Sequence, residues 1–306
     1  MKRIRLSEAG LAGDPADEAL WKGKRFSEDH LLHVASDEDT VIEKPDGSVL
    51  AMLLKRRLTA PASRVAYGVL RRIESQPTNR SLTVIGKSGK RLKSDGSRGN
   101  TTAVSASEFP ELRGMSSAII GYYDRHVRWP YCRATAFNLA EPEKFESLMP
   151  YVREVEAVFH EHAGERYAAQ RAVAEKTHPA WLIPGTPFTT ITVNRNYAAA
   201  CHQDAGDLKA GFGVMTAFRS GEYSGGVTYF PAFRAGVSMS TGDVCLADVH
   251  EWHGVTDLRG VPGRYERVSC VFYYREKMCR CGSPEEEALR AKNRKLGDPL
   301  YDKVEK

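Results

Sequence analysis

Six short runs rich in β-branched and aromatic residues crowd one stretch of the chain, at 189–194, 213–219, 226–230, 237–239, 244–249 and 268–274. Gly and Pro turns separate them, at Gly221, Gly225-Gly226, Pro231 and Gly242-Asp243. Strands at such close spacing, with long helices upstream, predict a double-sheet barrel, a jelly roll, with the helices packed outside it.

Upstream the patterning is mixed. Residues 1–40 are charged and predict one short helix around 17–24. Two apolar runs, from Thr40 and to Leu54, flank Pro45-Asp46-Gly47, which signals a hairpin. Residues 62–74 read as an amphipathic helix with Val65, Val69, Leu70 and Ile73 on one face. The stretch 79–102 is rich in Gly, Ser and basic residues, Lys87, Lys90, Arg91 and Lys93 among them. It reads as a solvated loop, with a phosphate-contacting arm as the functional alternative. Gly86-Lys-Ser88 is no P-loop, because Ser81 stands where the motif needs Gly. Arg125, Arg128, Trp129, Tyr131 and Arg133 mix aromatic with basic, which suits ordinary core and rim or a surface that grips nucleic acid. Residues 141–175 form the clearest helical region, opened by Pro142 and carrying Phe145, Leu148, Tyr151, Val155 and Phe159 at helical spacing.

The expected fold class is therefore α+β, a double-stranded β-helix (jelly-roll) core with supporting helices and an N-terminal α/β extension. The division expected is 1–104 for that extension, 105–282 for the catalytic domain and 283–306 for a charged C-terminal helix or tail. The 306 residues are 42% hydrophobic and 27% charged, with a formal net charge of +5, which fits a polyanion partner without requiring one. No run approaches the roughly 18 apolar residues of a membrane span, and no apolar region follows the basic start. The six cysteines show no disulfide-framework spacing, and Cys279-Arg-Cys281 lacks a second pair for zinc. The expectation is a monomer in a reduced cytoplasm.

The chemistry-bearing residues sit inside the β-rich stretch. His202 and Asp204 are two apart after an alternating run, and residues i and i+2 of a strand share a face, so both can bind one ion. A distant imidazole would complete the 2-His-1-carboxylate set suited to non-haem Fe(II) oxygenases. His250 and His253 both compete for that place. Arg267, with Ser269 on the same strand face, fits the distal carboxylate of a 2-oxo acid, since a guanidinium forks onto a carboxylate and stays charged.

The order and wording of these segments resemble the Fe(II)/2-oxoglutarate dioxygenases of the TET/JBP family, above all His253-Gly-Val-Thr-Asp-Leu followed by Arg267-Val-Ser-Cys-Val-Phe-Tyr. The likeness is to compact phage and bacterial members and covers roughly 117–278, and it implies a bacterial or phage-infected cell as the setting. It implies iron on His202, Asp204 and His253, with 2-oxoglutarate on Arg267 and Ser269, and O₂ as co-substrate. It also implies hydroxylation of the 5-methyl group of a pyrimidine in DNA. Asp207 matches a base-recognising place, and a carboxylate there favours the N4 amine of 5-methylcytosine over thymine. Arg275 stands where TET proteins carry a base-reading histidine. Arg133 joins these two as a substrate contact, and Lys87, Lys90, Arg91, Lys93 and Arg128 are the expected DNA contacts. The rivals are a dioxygenase of the same fold acting on a free nucleotide or other small molecule, and a non-catalytic nucleic-acid-binding protein.

Overall fold

A computed structural model describes residues 1–73, 114–126 and 129–293. Its larger sheet has nine strands. From edge to edge they are Lys2–Arg5, Thr40–Glu43, Val49–Leu54, Val244–Ala247, Gly213–Ser220, Glu266–Tyr273, Thr190–Arg195, Ser116–Tyr123 and Arg133–Ala134. All neighbours in it are antiparallel except the first pair. A smaller sheet runs Gly254–Val255, Thr228–Phe230, Ala235–Val237 and His33–Ala35. The two sheets face each other, which is the jelly-roll plan expected of the fold.

Side-chain parity decides which residues meet which layer. Along Glu266–Tyr273 the residues Val268, Cys270 and Phe272 pack into the apolar cluster under the helices. Arg267, Ser269, Val271 and Tyr273 therefore point the other way, into the space between the sheets. The pattern repeats on Gly213–Ser220, where Val214 and Phe218 face the helices and Met215 and Ala217 face the smaller sheet. On Thr190–Arg195, Ile191 and Val193 face the helices, leaving Thr192 and Asn194 inward.

The long helical run becomes three helices, Pro142–Ser147, Met149–His162 and Gly164–Ala174, interrupted at Leu148 with Pro150 in the next first turn and at Ala163-Gly164. Tyr151, Val155 and Phe159 of the middle one are buried against Phe188 and Phe272. The earlier helix spans Ala60–Leu70 and turns inward most of the face expected. Leu70 is buried and Val69 and Ile73 pack against the same core, joined by the small residues Ala62, Ser63 and Ala66, while Val65 is exposed. The Thr40–Glu43 and Val49–Leu54 hairpin forms around the Pro-Asp-Gly turn and pairs directly with Val244–Ala247.

The cysteine reading is overturned. Cys132 and Cys281 form a disulfide across 149 residues, with Cα atoms 5.9 Å apart. Spacing conceals such a bond, since the fold alone brings the Arg133–Ala134 strand and the C-terminal segment together. No helix among the described residues is long and apolar enough to cross a membrane.

Candidate metal and co-substrate site

Between the sheets lies a cavity of ≈ 320 Å³, walled by Thr192, His202, Asp204, His253, Arg267 and Ser269 among others. Its size is within the range of small-molecule sites. His202 and His253 come from two loops joined by one isolated bridge, each backbone N–H donating to the other's carbonyl at 2.8 and 2.9 Å. His202 and Asp204 are thus not on a continuous strand. A single bridge plus the bond from Asp204 N to Val249 O at 3.0 Å sets their geometry.

Among the described residues, His202, Asp204 and His253 bring ligand atoms within 4.8 Å of one another. The Asp204 carboxylate lies 3.7 Å from Nε2 of each histidine. Both rings are oriented from behind. His202 Nδ1 meets Ala200 O at 2.8 Å and His253 Nδ1 meets Glu251 O at 2.9 Å. A carbonyl can only accept, so each Nδ1 carries the proton and each Nε2 offers its lone pair to the centre. Burial pushes His253 down to about 4, which keeps it neutral at ordinary pH. Two neutral imidazoles and a carboxylate converging this way suit a divalent iron with open positions.

His250 does not join them. Its Nδ1 lies 3.6 Å from Asp248 Oδ1 and its Nε2 3.1 Å from the Asp207 carbonyl, behind the loop. Its hydrogen bond to Asp248 raises its pKa.

Arg267 is 2% exposed, yet its Nε has no hydrogen-bond partner among the described residues. Burial lowers its pKa. A buried cation with an orphaned donor is costly unless a ligand supplies the anion, so its position in the cavity wall fits a dicarboxylate co-substrate. Gly226 makes room for it. That residue has φ 72°, and a Cβ there would stand 2.9 Å from Arg267 Cδ and 3.0 Å from Nε.

Asp207 and Arg275 also line the cavity, brought side by side by an isolated bridge. Arg275 Nε donates to Asp124 Oδ1 at 2.7 Å. Burial opposes its charge, but Tyr273 and Asp124 beside it raise its pKa above the ordinary value. Arg133 is absent from the lining, because its guanidinium is packed between the Tyr123 and Trp129 rings. Lys87, Lys90, Arg91, Lys93 and Arg128 lie outside the described residues. Reading the sequence overlooked Asp124, Thr192, Asn194 and Tyr273. Strand parity with Arg267 and Ser269 points to Tyr273. Asp124 carries no local signal.

Residues 118–276 match the Tet_JBP family, the oxygenase domain of the 2OGFeDO superfamily. This chain belongs to that family. It is 32% identical over 185 residues to thymine dioxygenase JBP1 of Trypanosoma brucei brucei, a match spanning 59% of this chain and 22% of the relative. The bifunctional helicase and thymine dioxygenase JBP2 of the same organism is 27% identical over 194 residues, 62% of this chain and 18% of that protein. The chain thus spans about a fifth of the length of these relatives. Among solved structures, NgTET1 in complex with 5mC DNA superposes with a TM-score of 0.52 at 10% identity, over 85% of this chain and 90% of that one. That likeness is one of fold. Within a 2-oxoglutarate- and Fe(II)-dependent oxygenase family, the His202–Asp204–His253 cluster and the buried Arg267 are the groups that fit metal and co-substrate.

Proposed function

We propose that this oxygenase hydroxylates the 5-methyl group of a pyrimidine in DNA, with thymine as the base. The observation that carries the reading is the buried, unpartnered Arg267 in the same cavity wall as the His202–Asp204–His253 cluster. The 31–32% identity to proteins named thymine dioxygenase supports thymine as the base.

His202 and His253 would present Nε2 to Fe(II), and Asp204 one carboxylate oxygen. Iron with 2-oxoglutarate and O₂ supplies the oxidising power that places one oxygen atom in a methyl C–H bond, while 2-oxoglutarate becomes succinate and CO₂. Arg267 would hold the distal carboxylate in a charge-assisted fork, with the Ser269 hydroxyl beside it. His253 and Arg267 are buried between the sheets, so the charges they meet act in a lower dielectric than water. A pyrimidine stacked in a duplex cannot reach this depth, so the target enters extruded or single-stranded. At the cavity wall Arg275 is a donor only, which suits the O2 and O4 carbonyls of thymine.

A second reading, 5-methylcytosine, is favoured by Asp207, whose carboxylate can accept from the N4 amine. One experiment separates the readings. Oligonucleotides carrying thymine alone or 5-methylcytosine, and the free nucleotides, are incubated with the protein, Fe(II) and 2-oxoglutarate, then analysed as nucleosides by mass. We expect 5-hydroxymethyluracil from DNA, lost in His202→Ala. Gain of oxygen only on methylcytosine favours the second reading. Gain only on the monomers, or on nothing, refutes the DNA claim.

A further inference from the structure

Behind the cavity rim, flat cations and aromatic rings alternate. The Arg275 guanidinium lies 5.8 Å from the Tyr123 ring centre, and that of Arg133 lies 4.5 Å from the same ring. Arg133 is also 5.3 Å from the Trp129 ring, and Tyr131 meets Trp129 edge-on at 6.2 Å. The ladder Arg275, Tyr123, Arg133, Trp129 thus begins in the cavity wall, which Arg275 lines, and ends at Trp129. All four side chains are half-buried, so the ladder is reachable from solvent.

Its two cations are not alike. Arg275 is neutralised by Asp124 at 2.7 Å. Arg133 forms no ion pair with a carboxylate among the described residues, only the Asp124 charge acting on it from further off, and its Nη1 is buried without a hydrogen bond. A purely structural stack has little use for a guanidinium without an ion-pair partner in contact, because an apolar residue would pack there without the desolvation cost. The support is also unusually firm. Cys132, next to Arg133, is joined to Cys281, and its backbone N–H donates to the buried Glu287 carboxylate at 2.7 Å. Glu287 also pairs with Arg125 and accepts from Gly282 N at 2.9 Å. A flat, cationic and rigidly held surface beside a cavity mouth is what single-stranded nucleic acid uses, since every base has a π face and every linkage a phosphate.

We propose that this ladder receives the nucleotide adjacent to the extruded pyrimidine. The neighbouring base stacks at the Trp129 end, and the edge of the Arg133 guanidinium meets its phosphate. The inference rests on the DNA reading above and names a contact site for that substrate.

The test is direct binding of a fluorescent single-stranded oligonucleotide to the full chain. Trp129→Ala and Arg133→Ala should each weaken binding about tenfold, the scale of one lost base stack or phosphate fork. Arg133→Ala should also lower the slope of log affinity against log salt by about one. Arg133→Lys keeps the charge without the flat stack and should stay weaker than the parent. The parent protein gives a measure that needs no variant. A 2-aminopurine next to the target base should be quenched on binding, and one placed several nucleotides away should not. Folded variants that bind like the parent, full affinity in Arg133→Lys, or equal quenching at both positions overturns the ladder alone. A parent that binds no oligonucleotide overturns the DNA reading and the ladder together.

Discussion

A guanidinium that is 2% exposed, with an orphaned Nε, destabilises the protein that holds it. The fold keeps Arg267 all the same, opposite Arg219 on one neighbouring strand and beside Gly226, which leaves it space. Two substitutions distinguish a ligand-binding role from a structural one. Arg267→Met removes the buried charge and should melt no lower than the parent without ligand, yet lose the rise in melting temperature that 2-oxoglutarate confers on the metal-loaded protein. Arg267→Lys keeps a charge but not the fork, and should weaken 2-oxoglutarate about tenfold to a hundredfold by calorimetric titration under anaerobic Fe(II). A melt several degrees lower in Arg267→Met would make the residue structural. A second residue ties stability to pH. Burial works against the Asp248 carboxylate, but His250 and Lys44 hold it down to about 2 from an ordinary 3.8. Its folded value is depressed, so its stabilisation is complete above about pH 4 and disappears as pH falls towards 2. Urea midpoints of the parent and Asp248→Asn should differ at pH 5 and converge by pH 2. A gap that stays constant over that window refutes the assignment.

At the scale of elements, local patterning shows what the chain forms more clearly than where the pieces meet. The Pro-Asp-Gly hairpin and the last strand are legible because turn chemistry and two-residue alternation are local signals, and alternation also tells which side of Glu266–Tyr273 carries Arg267 and Ser269. The helical run 141–175 reads as one element because apolar spacing continues across the breaks at Leu148 and Ala163. The Cys132–Cys281 bond leaves no local trace, for its partners are 149 residues apart and only the assembled sheet aligns them. That bond closes a large loop, and the clasp around Glu287 reinforces it. A Cys132→Ser/Cys281→Ser double variant should lose about 2–4 kcal/mol in denaturant unfolding. Reductant should lower the parent by a similar amount and leave the double variant unchanged. Equal sensitivity of both proteins to reductant would place the effect elsewhere.

Over the whole molecule, the family match starts at residue 118, but the barrel does not. Residues before it supply one outer strand of each sheet, Lys2–Arg5 beside Thr40–Glu43 and His33–Ala35 beside Ala235–Val237. Patterning alone made this stretch an extension, since strands of three and four residues carry too little alternation to announce partners so far along the chain. The N-terminal segment also reaches the metal loop. Gly23 N donates to Cys201 O and Cys201 N to Lys24 O, both at 2.8 Å, one residue before His202. Trp21 anchors that pairing. It is buried in the inter-sheet core, packs 6.0 Å from Phe26 and donates from Nε1 to the Asp14 carbonyl at 2.8 Å. Trp21→Ala should therefore do two things. It should cost about 3–5 kcal/mol of stability, the usual scale for truncating a buried aromatic. It should also weaken metal binding, because the backbone that holds His202 loses its support while His253 and Asp204 keep theirs. Melting with and without added Fe(II) reads the first effect, and anaerobic metal titration at a temperature where the variant is folded reads the second. Loss of stability with unchanged metal affinity would mean that the N-terminal segment stabilises the barrel without positioning His202. The two losses together would make these first residues part of the iron site's support.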